Sequence, residues 1–373
     1  MRVIALGGAG AMGRLTVKDL ASRTAVEELA VADCNIAAAR ALAGELGPQC
    51  TYLKVDVDNH AKLVGALRGY DVALGAVGPF YKYEVKMARA CIEAGAHYVS
   101  ICDDNDAAVD VLQLDGEARA AEVTMITGVG WTPGVTNVLA RKASSCFDEV
   151  DEVAVSWGCH SGDTEGKAVI YHTLHIFHGA VPSFQGGRRV MVPAGSGKER
   201  VRFPEPVGDV YVYNLGHPEP VTIPRYINAR TVTLKGGFAD GIMAGMTMLG
   251  ERMHLYDTPR RMDMTVWYAT HVLTPLARLF YRPRETCSAC RVDVTGKKAG
   301  RWGQVVYGAA AHMDLLTGLP PSVAIQMLGE GKVKEKGVMA PEACLEPREF
   351  LTRLAEDGIR LYEGEEMSEP LRV

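Results

Sequence analysis

The chain has 373 residues, of which 47% are hydrophobic and 23% charged, and its formal net charge is −5. This length allows two domains, and the composition is that of an ordinary globular protein. The acidic balance argues against nucleic acid or an anionic membrane as a partner, and no apolar run is long enough for a transmembrane helix.

The first 130 residues alternate predicted strands with predicted helices. We expect strands at Arg2–Leu6, Leu29–Ala32, Thr51–Val55, Asp71–Ala76, His97–Ile101 and Thr124–Thr127. The intervening helices are expected at Met12–Ser22, Ile36–Leu46, Asn59–Leu67, Tyr83–Ala94 and Ala107–Ala121. This alternation predicts a doubly wound α/β domain with a parallel sheet, whose ligands bind beyond the carboxyl ends of the strands.

The first predicted strand runs into a glycine cluster that opens a helix. Gly8, Gly10 and Gly13 fit the pattern G-x-G-x-x-G. The first glycine allows a tight turn, the second lets backbone N–H groups approach a diphosphate, and the third lets helix and strand pack closely. We therefore expect this loop, including Ala11 and Met12, to bind a dinucleotide.

Asp33 follows the second predicted strand, twenty residues after Gly13. A carboxylate there can accept hydrogen bonds from both ribose hydroxyls of an adenosine and repels a 2′-phosphate, so it favours NAD over NADP. Asn35 and Arg40 lie close enough in the sequence to leave NADP possible. The alternative is a glycine turn in a generic α/β protein, with Asp33 only capping the next helix.

Other residues are expected on the same rim of the sheet because they follow its remaining strands. The further cofactor-binding candidates are Cys34, Asp56, Val57, Val77, Gly78, Pro79, Thr132 and Pro133. Proline suits the first turn of a helix, so Pro133-Gly134 is expected to begin the helix Val135–Ser145 and to present free N–H groups to a ligand.

From about Asp151 the pattern changes to short β-rich stretches separated by glycine and proline turns. The expected strands are Val153–Trp157, Arg189–Val192, Val201–Phe203, Val210–Tyr213, Thr231–Lys235, Cys290–Thr295 and Trp302–Tyr307. Helices are expected near Ala168–His178 and Met262–Phe280, and later at Ser322–Leu328 and Pro347–Asp357. This predicts an α+β domain on a mixed or antiparallel sheet, whose open face we expect a second subunit to cover in a homodimer.

The nine cysteines are scattered, which favours a reducing compartment over a disulfide framework. Cys287 and Cys290 form one Cys-x-x-Cys pair, but a second pair or nearby histidines at zinc-ligand spacing are missing from the sequence. We interpret the pair as incidental and expect no metal. Glycines interrupt the first apolar run after Leu6, so we expect no secretion signal and a cytoplasmic protein.

Several motifs resemble the saccharopine dehydrogenase/reductase-like family, which includes lysine 6-dehydrogenase and carboxynorspermidine dehydrogenase. They are Gly7-Gly-Ala-Gly-Ala-Met-Gly13, Gly78-Pro-Phe80, His97-Tyr-Val-Ser-Ile-Cys-Asp-Asp104, Gly128-Val-Gly-Trp-Thr-Pro-Gly-Val-Thr-Asn137, Gly216-His-Pro-Glu-Pro-Val-Thr-Ile-Pro224, Thr317-Gly-Leu-Pro-Pro321 and Gly337-Val-Met-Ala-Pro-Glu342.

The resemblance implies NAD(P)-linked redox chemistry at a carbon–nitrogen bond of an amino-acid or polyamine-like substrate. It also implies a Rossmann domain at 1–132, a substrate-binding and dimerisation domain at 133–320, and a C-terminal segment, 321–373, that returns to the first domain. Fungal-type saccharopine reductases of this family carry Asp before the Pro-Gly pair, where this chain has Thr132. This departure argues against saccharopine as the substrate.

Oxidation of an amine needs a general base, because the nitrogen lone pair must be free before hydride leaves. Asp103 and Asp104 follow a predicted strand on the ligand rim and are the candidates. Two adjacent carboxylates there can separate in pKa if one is desolvated. The alternative is that they cap the helix that follows.

The remaining candidates lie at or after residue 137. His172 is a further catalytic candidate, and the substrate-binding candidates are Thr173, His175, Arg225 and Asn137. On a helix His172 and His175 share one face, whereas His178 is rotated away from it. Arg225 could pair with a substrate carboxylate, although a solvated surface arginine is the alternative.

The leading hypothesis is an NAD(P)-dependent dehydrogenase or reductase acting on an amine, imine or amino acid. Two alternatives stay open: a protein that binds NAD without turnover, as a sensor or scaffold, and a homospermidine-synthase-like enzyme that uses bound NAD without net redox change.

Overall fold

The computed structural model describes residues 1–163, 166–274 and 286–372. The chain forms two compact units. The first consists of Met1–Val138 and Asp314–Gly358, and the second of Leu139–Met313 and Ile359–Val373.

The strands follow in chain order. They are β1 (Arg2–Leu6), β2 (Glu28–Asp33), β3 (Cys50–Lys54), β4 (Val72–Gly75), β5 (His97–Ser100), β6 (Thr124–Ile126), β7 (Glu149–Cys159), β8 (Ala180–Gln185), β9 (Arg188–Pro193), β10 (Glu199–Arg202), β11 (Asp209–Asn214), β12 (Ala229–Phe238), β13 (Ser288–Lys298), β14 (Arg301–Ala311), β15 (Gly337–Met339), β16 (Arg360–Glu363) and β17 (Glu369–Pro370).

The helices fall between these strands. They are α1 (Gly13–Ser22), α2 (Ile36–Leu46), α3 (His60–Leu67), α4 (Phe80–Ala94), α5 (Asn105–Leu112), α6 (Asp115–Ala120), α7 (Val135–Ser144), α8 (Lys167–Ile176), α9 (Glu219–Tyr226), α10 (Ile242–Arg252), α11 (Pro259–Tyr268), α12 (Met313–Gly329), α13 (Pro341–Cys344) and α14 (Pro347–Glu356). A short 3₁₀ turn lies at Ser161–Asp163 and a π-helical turn at Ala269–Leu273. Among the described helices, none combines the length and apolar character needed to cross a bilayer.

The first unit is built on a parallel sheet. Among the described residues its seven strands take the order β15-β6-β5-β4-β1-β2-β3. β1, an interior strand, pairs in parallel with β2 and β4, and its residues Val3–Leu6 are fully buried. The order 3-2-1-4-5-6 is that of a Rossmann fold, in which ligands bind where the strand order reverses, beside the first strand. The predicted α/β class is confirmed.

The second unit is built on a mixed sheet, as predicted. Its main path is β10-β11-β12-β7-β13-β14-β16-β17, and β8 joins β12 to β9. β7 and β12 are parallel, whereas β13 is antiparallel to both β7 and β14. Trp157 on β7 lies over its neighbour Gly236 on β12, where a Cβ would come 2.0 Å from the indole.

The final residues differ from the predicted division of the chain. The resemblance implies that the segment 321–373 returns to the first domain. Residues up to Gly358 do fold with the first unit, but Ile359–Val373 fold with the second. Ile359–Val373 belong to the second unit because β16 pairs with β14 in the mixed sheet.

The predicted strands of the first unit are observed to within one residue at either end. The predicted helix Ala107–Ala121 is wrong, since two helices, α5 and α6, occupy this region. Between them the N–H groups of Gln113 and Leu114 bond to carbonyls three residues back, which tightens the chain out of the α-helix. Of the predicted helix Met262–Phe280, residues 275–280 lie outside the described residues.

A buried carboxyl group joins α4 to the parallel sheet. Glu84 is fully buried and accepts hydrogen bonds from Tyr98 Oη at 2.8 Å, Ser100 Oγ at 2.6 Å and Thr127 Oγ1 at 3.0 Å. Gly75 leaves room for this network, because a Cβ there would come 2.1 Å from Tyr98 Oη. Burial raises the pKa of Glu84 to about 7, although the three hydroxyl groups oppose the shift.

Glu84 makes stability depend on pH. Because its pKa is raised in the folded state, its contribution to stability is present below the unfolded pKa of 4.5 and is lost as the pH rises to about 7. The shift corresponds to a loss on the order of 3 kcal/mol. Glu84→Gln removes the titration, so the stability of the variant relative to the parent protein should increase over this range.

Urea unfolding at several pH values between 4.5 and 7.5 measures this difference directly. His97 changes stability in the opposite direction, because burial lowers the pKa of this imidazole. It is common to both proteins and cancels in the comparison. Parallel pH profiles for parent and variant would contradict the assignment.

Candidate functional site

The glycine loop between β1 and α1 is fixed by close contacts with the sheet. Gly7 has a φ of +74°, and a Cβ there would come 2.6 Å from the carbonyl oxygen of Ala76, beyond β4. A Cβ at Gly8 would approach Ala5 Cβ to 2.9 Å, and one at Gly13 would come 2.6 Å from the Gly7 oxygen. These positions exclude side chains because the loop, β1 and β4 are in direct contact.

The tip of the loop is open, in contrast to its base. Gly10 and Ala11 are exposed and Met12 is half-buried. A Cβ at Gly10 would meet only the Gly7 oxygen, at 3.1 Å, so the rest of its surroundings are free for a ligand. At the start of α1 the N–H groups of Arg14 and Leu15 donate to the oxygens of Gly10 and Met12, and this end of the helix carries the positive end of its dipole. The loop therefore fits a diphosphate.

Asp33 is the last residue of β2. β2 is the neighbour of β1, the strand that leads into the glycine loop. Asp33 is half-buried, and its Oδ1 accepts the N–H of Asn35 at 2.9 Å. Asn35, not Asp33, caps α2, since its side chain accepts from the Ala38 N–H at 3.2 Å. This geometry argues against the alternative in which Asp33 is only a helix cap.

The other rim candidates lie where predicted, after the strands of the parallel sheet. Cys34 is an exposed residue. The pKa of its thiol is raised, mainly by partial desolvation of the sulfur and secondly by the negative charge of Asp33. Asp56 is exposed, and its Oδ1 accepts the Asp58 N–H at 3.0 Å. Val57, Val77 and Gly78 are half-buried, and Pro79 directly precedes α4.

The two adjacent aspartates after β5 differ in their surroundings. Asp104 is completely buried, and its Oδ2 accepts the backbone N–H of Tyr81 at 2.9 Å, in the first turn of α4. Although Asp104 precedes α5, its side chain forms no cap bond with that helix. Asp103 is partly exposed. The carboxylate of Asp104 thus stabilises a neighbouring helix, whereas Asp103 is half-buried with its Oδ1 shielded from solvent.

Cys102, just before these aspartates, is not a nucleophile. Its thiol is completely buried, and burial raises its pKa well above the ordinary value. The carboxylates of Glu84, Asp104 and Asp103 raise it further. At neutral pH the group is a neutral thiol and packs as a small apolar side chain.

The Gly-Val-Gly-Trp-Thr-Pro-Gly stretch forms a compact turn after β6. The N–H of Gly130 donates to the Pro133 oxygen at 2.8 Å, and the turn brings Gly134 against Gly130. Gly134 has a φ of +127°, and a Cβ there would lie 2.0 Å from the Gly130 oxygen. Thr132 and Pro133 are buried in this turn, so a cofactor contact by them stays a prediction.

Asn137 lies on α7 and is completely buried. Its Oδ1 accepts the N–H of Gly134 at 3.0 Å, and its Nδ2 donates to Glu342 at 2.9 Å. The carboxamide therefore holds the turn and connects α7 to α13. A substrate contact by Asn137 stays a prediction.

In the second unit the histidine helix is α8. His172, Thr173 and His175 are half-buried on it, whereas His178 lies beyond its end and bonds to Glu251 at 2.7 Å. The ring of His172 makes an edge-to-face contact with His217, their centroids 5.1 Å apart. This places His172 in a polar and aromatic cluster.

His217 and Trp157 complete this cluster and were not among the sequence candidates. Their ring centroids are 5.9 Å apart, and the two side chains are only 2% and 5% exposed. His217 belongs to the Gly216-His-Pro-Glu-Pro stretch, which the family resemblance singled out without giving any residue a role. Arg225, in the last turn of α9, is exposed, so its role as a substrate-carboxylate ligand stays a prediction.

Comparisons with known proteins agree with this architecture. Residues 3–126 match the family described as the saccharopine dehydrogenase NADP binding domain, and residues 130–359 match the saccharopine dehydrogenase C-terminal domain. Saccharopine dehydrogenase (L-Glu forming) from Saccharomyces cerevisiae has a similar fold, with a TM-score of 0.71 and 16% identity over 97% of this chain and 99% of that chain.

Two more distant structures also align. A probable dehydrogenase from Thermotoga maritima gives a TM-score of 0.47, with 12% identity over 98% of this chain and 100% of that chain. Amine dehydrogenase from Mycobacterium smegmatis gives 0.48, with 11% identity over 92% and 96% of the two chains.

Proposed function

The chain belongs to the saccharopine dehydrogenase family, a family of NAD(P)-binding oxidoreductases, and on that premise we propose that it transfers hydride at a carbon–nitrogen bond. The proposed substrate is an amino acid, an amine or the corresponding imine. The observation that carries the proposal is the open glycine tip at the start of α1, with Asp33 beside it and Asp103 on the same rim of the sheet.

Each group has a defined part in this proposal. The loop Gly8–Gly13 would hold the diphosphate, and Asp33 would accept hydrogen bonds from the adenosine ribose. The bound nicotinamide would supply the hydride acceptor or donor. Asp103 would take the proton from a protonated amine, so that the nitrogen lone pair is free when the carbon–hydrogen bond breaks.

Residues of the second unit are proposed to recognise the substrate. His172, whose ring contacts His217, would exchange a proton or a hydrogen bond with the reacting group, as an imidazole does near neutral pH. Thr173 and His175, on the same helix, and Arg225 would bind the rest of the substrate. We also propose a homodimer, and the nine free cysteines support a reducing, cytoplasmic environment.

Asp33 is proposed to favour NAD over NADP. Asp33→Ala should weaken NAD binding at least about tenfold, because a charged acceptor for the ribose hydroxyls is lost. NADP binding should weaken less or improve, so the ratio of the two dissociation constants should shrink. Titration calorimetry with each cofactor measures both values.

Asp110→Ala is the matched control, since Asp110 is an exposed carboxylate on α5. It should leave both dissociation constants unchanged. If Asp33→Ala leaves the NAD/NADP ratio as it is in the parent protein, the ribose assignment is wrong.

The reaction class is tested by following the absorbance of reduced nicotinamide while the protein is incubated with a panel of amines and amino acids and each cofactor. Net production of NADH or NADPH is the expected result.

A second candidate is a protein that binds NAD without net redox turnover. It is favoured by Thr132, which stands in place of the family's Asp, and by the hydrogen bond that engages Asp104 with α4. That candidate predicts tight cofactor binding and no accumulation of reduced cofactor with any substrate.

A further inference from the structure

The carboxyl group of Glu84 lies near the edge of the parallel sheet at which ligands bind. Two of the hydroxyl groups that donate to it come from Ser100, the last residue of β5, and from Thr127, the residue directly after β6. In a parallel α/β sheet, ligands bind beyond these carboxyl ends of the strands. Glu84 is therefore just behind the rim, although the residue itself is fully buried.

These strand ends belong to the second half of the Rossmann fold. Each half of such a sheet binds one of the two nucleotides of the cofactor. The half made of β1, β2 and β3 carries the glycine loop and the position of the acid for the adenosine ribose. β4, β5 and β6 lie on the other side of β1. The nicotinamide nucleotide is therefore expected over the half that contains the Glu84 network.

Helix α4 connects Glu84 to the glycine loop. The Tyr81 N–H in its first turn donates to Asp104 Oδ2 at 2.9 Å, and Glu84 follows three residues later. The segment just before α4 touches the loop, since a Cβ at Gly7 would come 2.6 Å from the Ala76 oxygen. Glu84 is thus joined to the cofactor loop through directly packed protein, in which a charge is screened less than in water.

Several titratable groups face Glu84 from the elements around it. They are Cys91 on α4, Tyr98 on β5, and Cys102 and Asp104 in the loop after β5. Burial raises the pKa of the tyrosine hydroxyl and of both thiols, so these three groups are neutral at neutral pH. β4 contributes Gly75 here, which does not titrate. The charged residues of the flanking helices α3 and α5 are exposed: His60, Lys62, Asp106 and Asp110.

The oxidised and reduced forms of a nicotinamide cofactor differ by one positive charge on the ring. An ionised carboxyl group on the same side of the sheet attracts the oxidised form more than the reduced form, whereas a protonated carboxyl group has little preference. Because burial raises the pKa of Glu84 to about 7, both states of this group are populated near neutral pH.

We propose that Glu84 sets the preference of the cofactor site in a proton-dependent way: its ionised form favours the oxidised cofactor, and protonation removes this preference. The affinity for the oxidised form relative to the reduced form should therefore rise with pH. By linkage, the reduced form should take up more protons on binding than the oxidised form. This inference goes beyond the proposed reaction and depends only on cofactor binding, because neither substrate nor turnover is involved.

The test is titration calorimetry of the whole protein with the oxidised and reduced forms of NAD and of NADP, from about pH 6 to about pH 8, on either side of the Glu84 pKa. Over this range the dissociation constant of the reduced form, divided by that of the oxidised form, should rise about three- to tenfold, as for a pair of partly screened unit charges. Titrations in buffers of different ionisation enthalpy, at about pH 7, count the protons taken up with each form.

Two variants change the proposed group and its surroundings. Glu84→Gln removes the titration, so it should abolish the rise with pH and the difference in proton uptake. Tyr98→Phe removes the hydrogen bond from Tyr98 Oη, which stabilises the ionised carboxyl group, so the rise should move to higher pH. Glu93→Gln is the matched control, because Glu93 is an exposed glutamate on the same helix, bonded to His60 at 2.8 Å. It should change neither measurement.

Circular dichroism checks that all variants are folded, and Tyr98→Phe decides the question if Glu84→Gln does not fold. The proposal is overturned if the parent protein binds neither form or shows no rise in the ratio with pH. It is also overturned if Glu84→Gln keeps the rise, if Tyr98→Phe leaves its midpoint unchanged, or if Glu93→Gln abolishes it as well. Failure to oxidise any amine would contradict the proposed reaction but not this inference.

Discussion

Asp103→Asn should lower turnover by about 10²- to 10⁴-fold, which is the usual contribution of a general base. Asparagine matches aspartate in size but cannot accept a proton, so the variant should bind cofactor normally. Steady-state rates of the variant and of the parent protein with the same amine and cofactor measure the loss.

Asp104→Asn is the matched control because the two residues are neighbours with the same chemistry. The buried Asp104 carboxylate accepts an N–H at the start of α4, and its charge stabilises the positive end of that helix. Its replacement should cost about 1 kcal/mol of stability and change turnover less than tenfold. Equal, small effects of both variants on turnover, with equal losses of stability, would contradict the assignment of Asp103.

Gly134→Ala should destabilise the first unit by about 4 kcal/mol or more, the range of severe single substitutions. The added Cβ would come 2.0 Å from the Gly130 oxygen, and the φ of +127° is closed to alanine. Relief would require the turn to open, with loss of the bond from the Gly134 N–H to Asn137. Loss of soluble protein, or a large fall in the midpoint of urea unfolding, is the expected observation.

Gly65→Ala provides the comparison, because Gly65 lies inside α3 with nothing near the position of its Cβ. Alanine is the better helix former, so this variant should be as stable as the parent or more stable by up to about 1 kcal/mol. A Gly134→Ala protein as stable as the Gly65→Ala protein would show that the turn adapts and that its glycines have another role.

The strands and helices of the first unit, with its parallel sheet, could be predicted well from the sequence. Each strand of the first unit up to Thr124 is a short apolar run followed by a turn or helix signal, and such local patterns are legible in one chain. The sequence did not predict β15, whose three buried residues Gly337–Met339 are too few to show a period. It also missed α9, because Pro220 and Pro224 within it argue against a helix.

The cofactor loop was predictable for the same reason, since glycine spacing and strand–helix order are local. The roles of polar side chains were not. The sequence left Asp103 and Asp104 equivalent, and only packing showed that Asp104 is completely buried against α4 while Asp103 is half-buried. The buried Glu84 network and the contact between His172 and His217 likewise join residues far apart in the chain.

The chain alone thus fixed what depends on neighbours in sequence: the alternating elements, the glycine turn and the acid after the second strand. Tertiary structure decided which polar groups are desolvated, which already have partners, and which apolar side chains stay outside. Burial and hydrogen bonding depend on contacts between distant segments, and a side chain's chemistry follows from those contacts as much as from its identity.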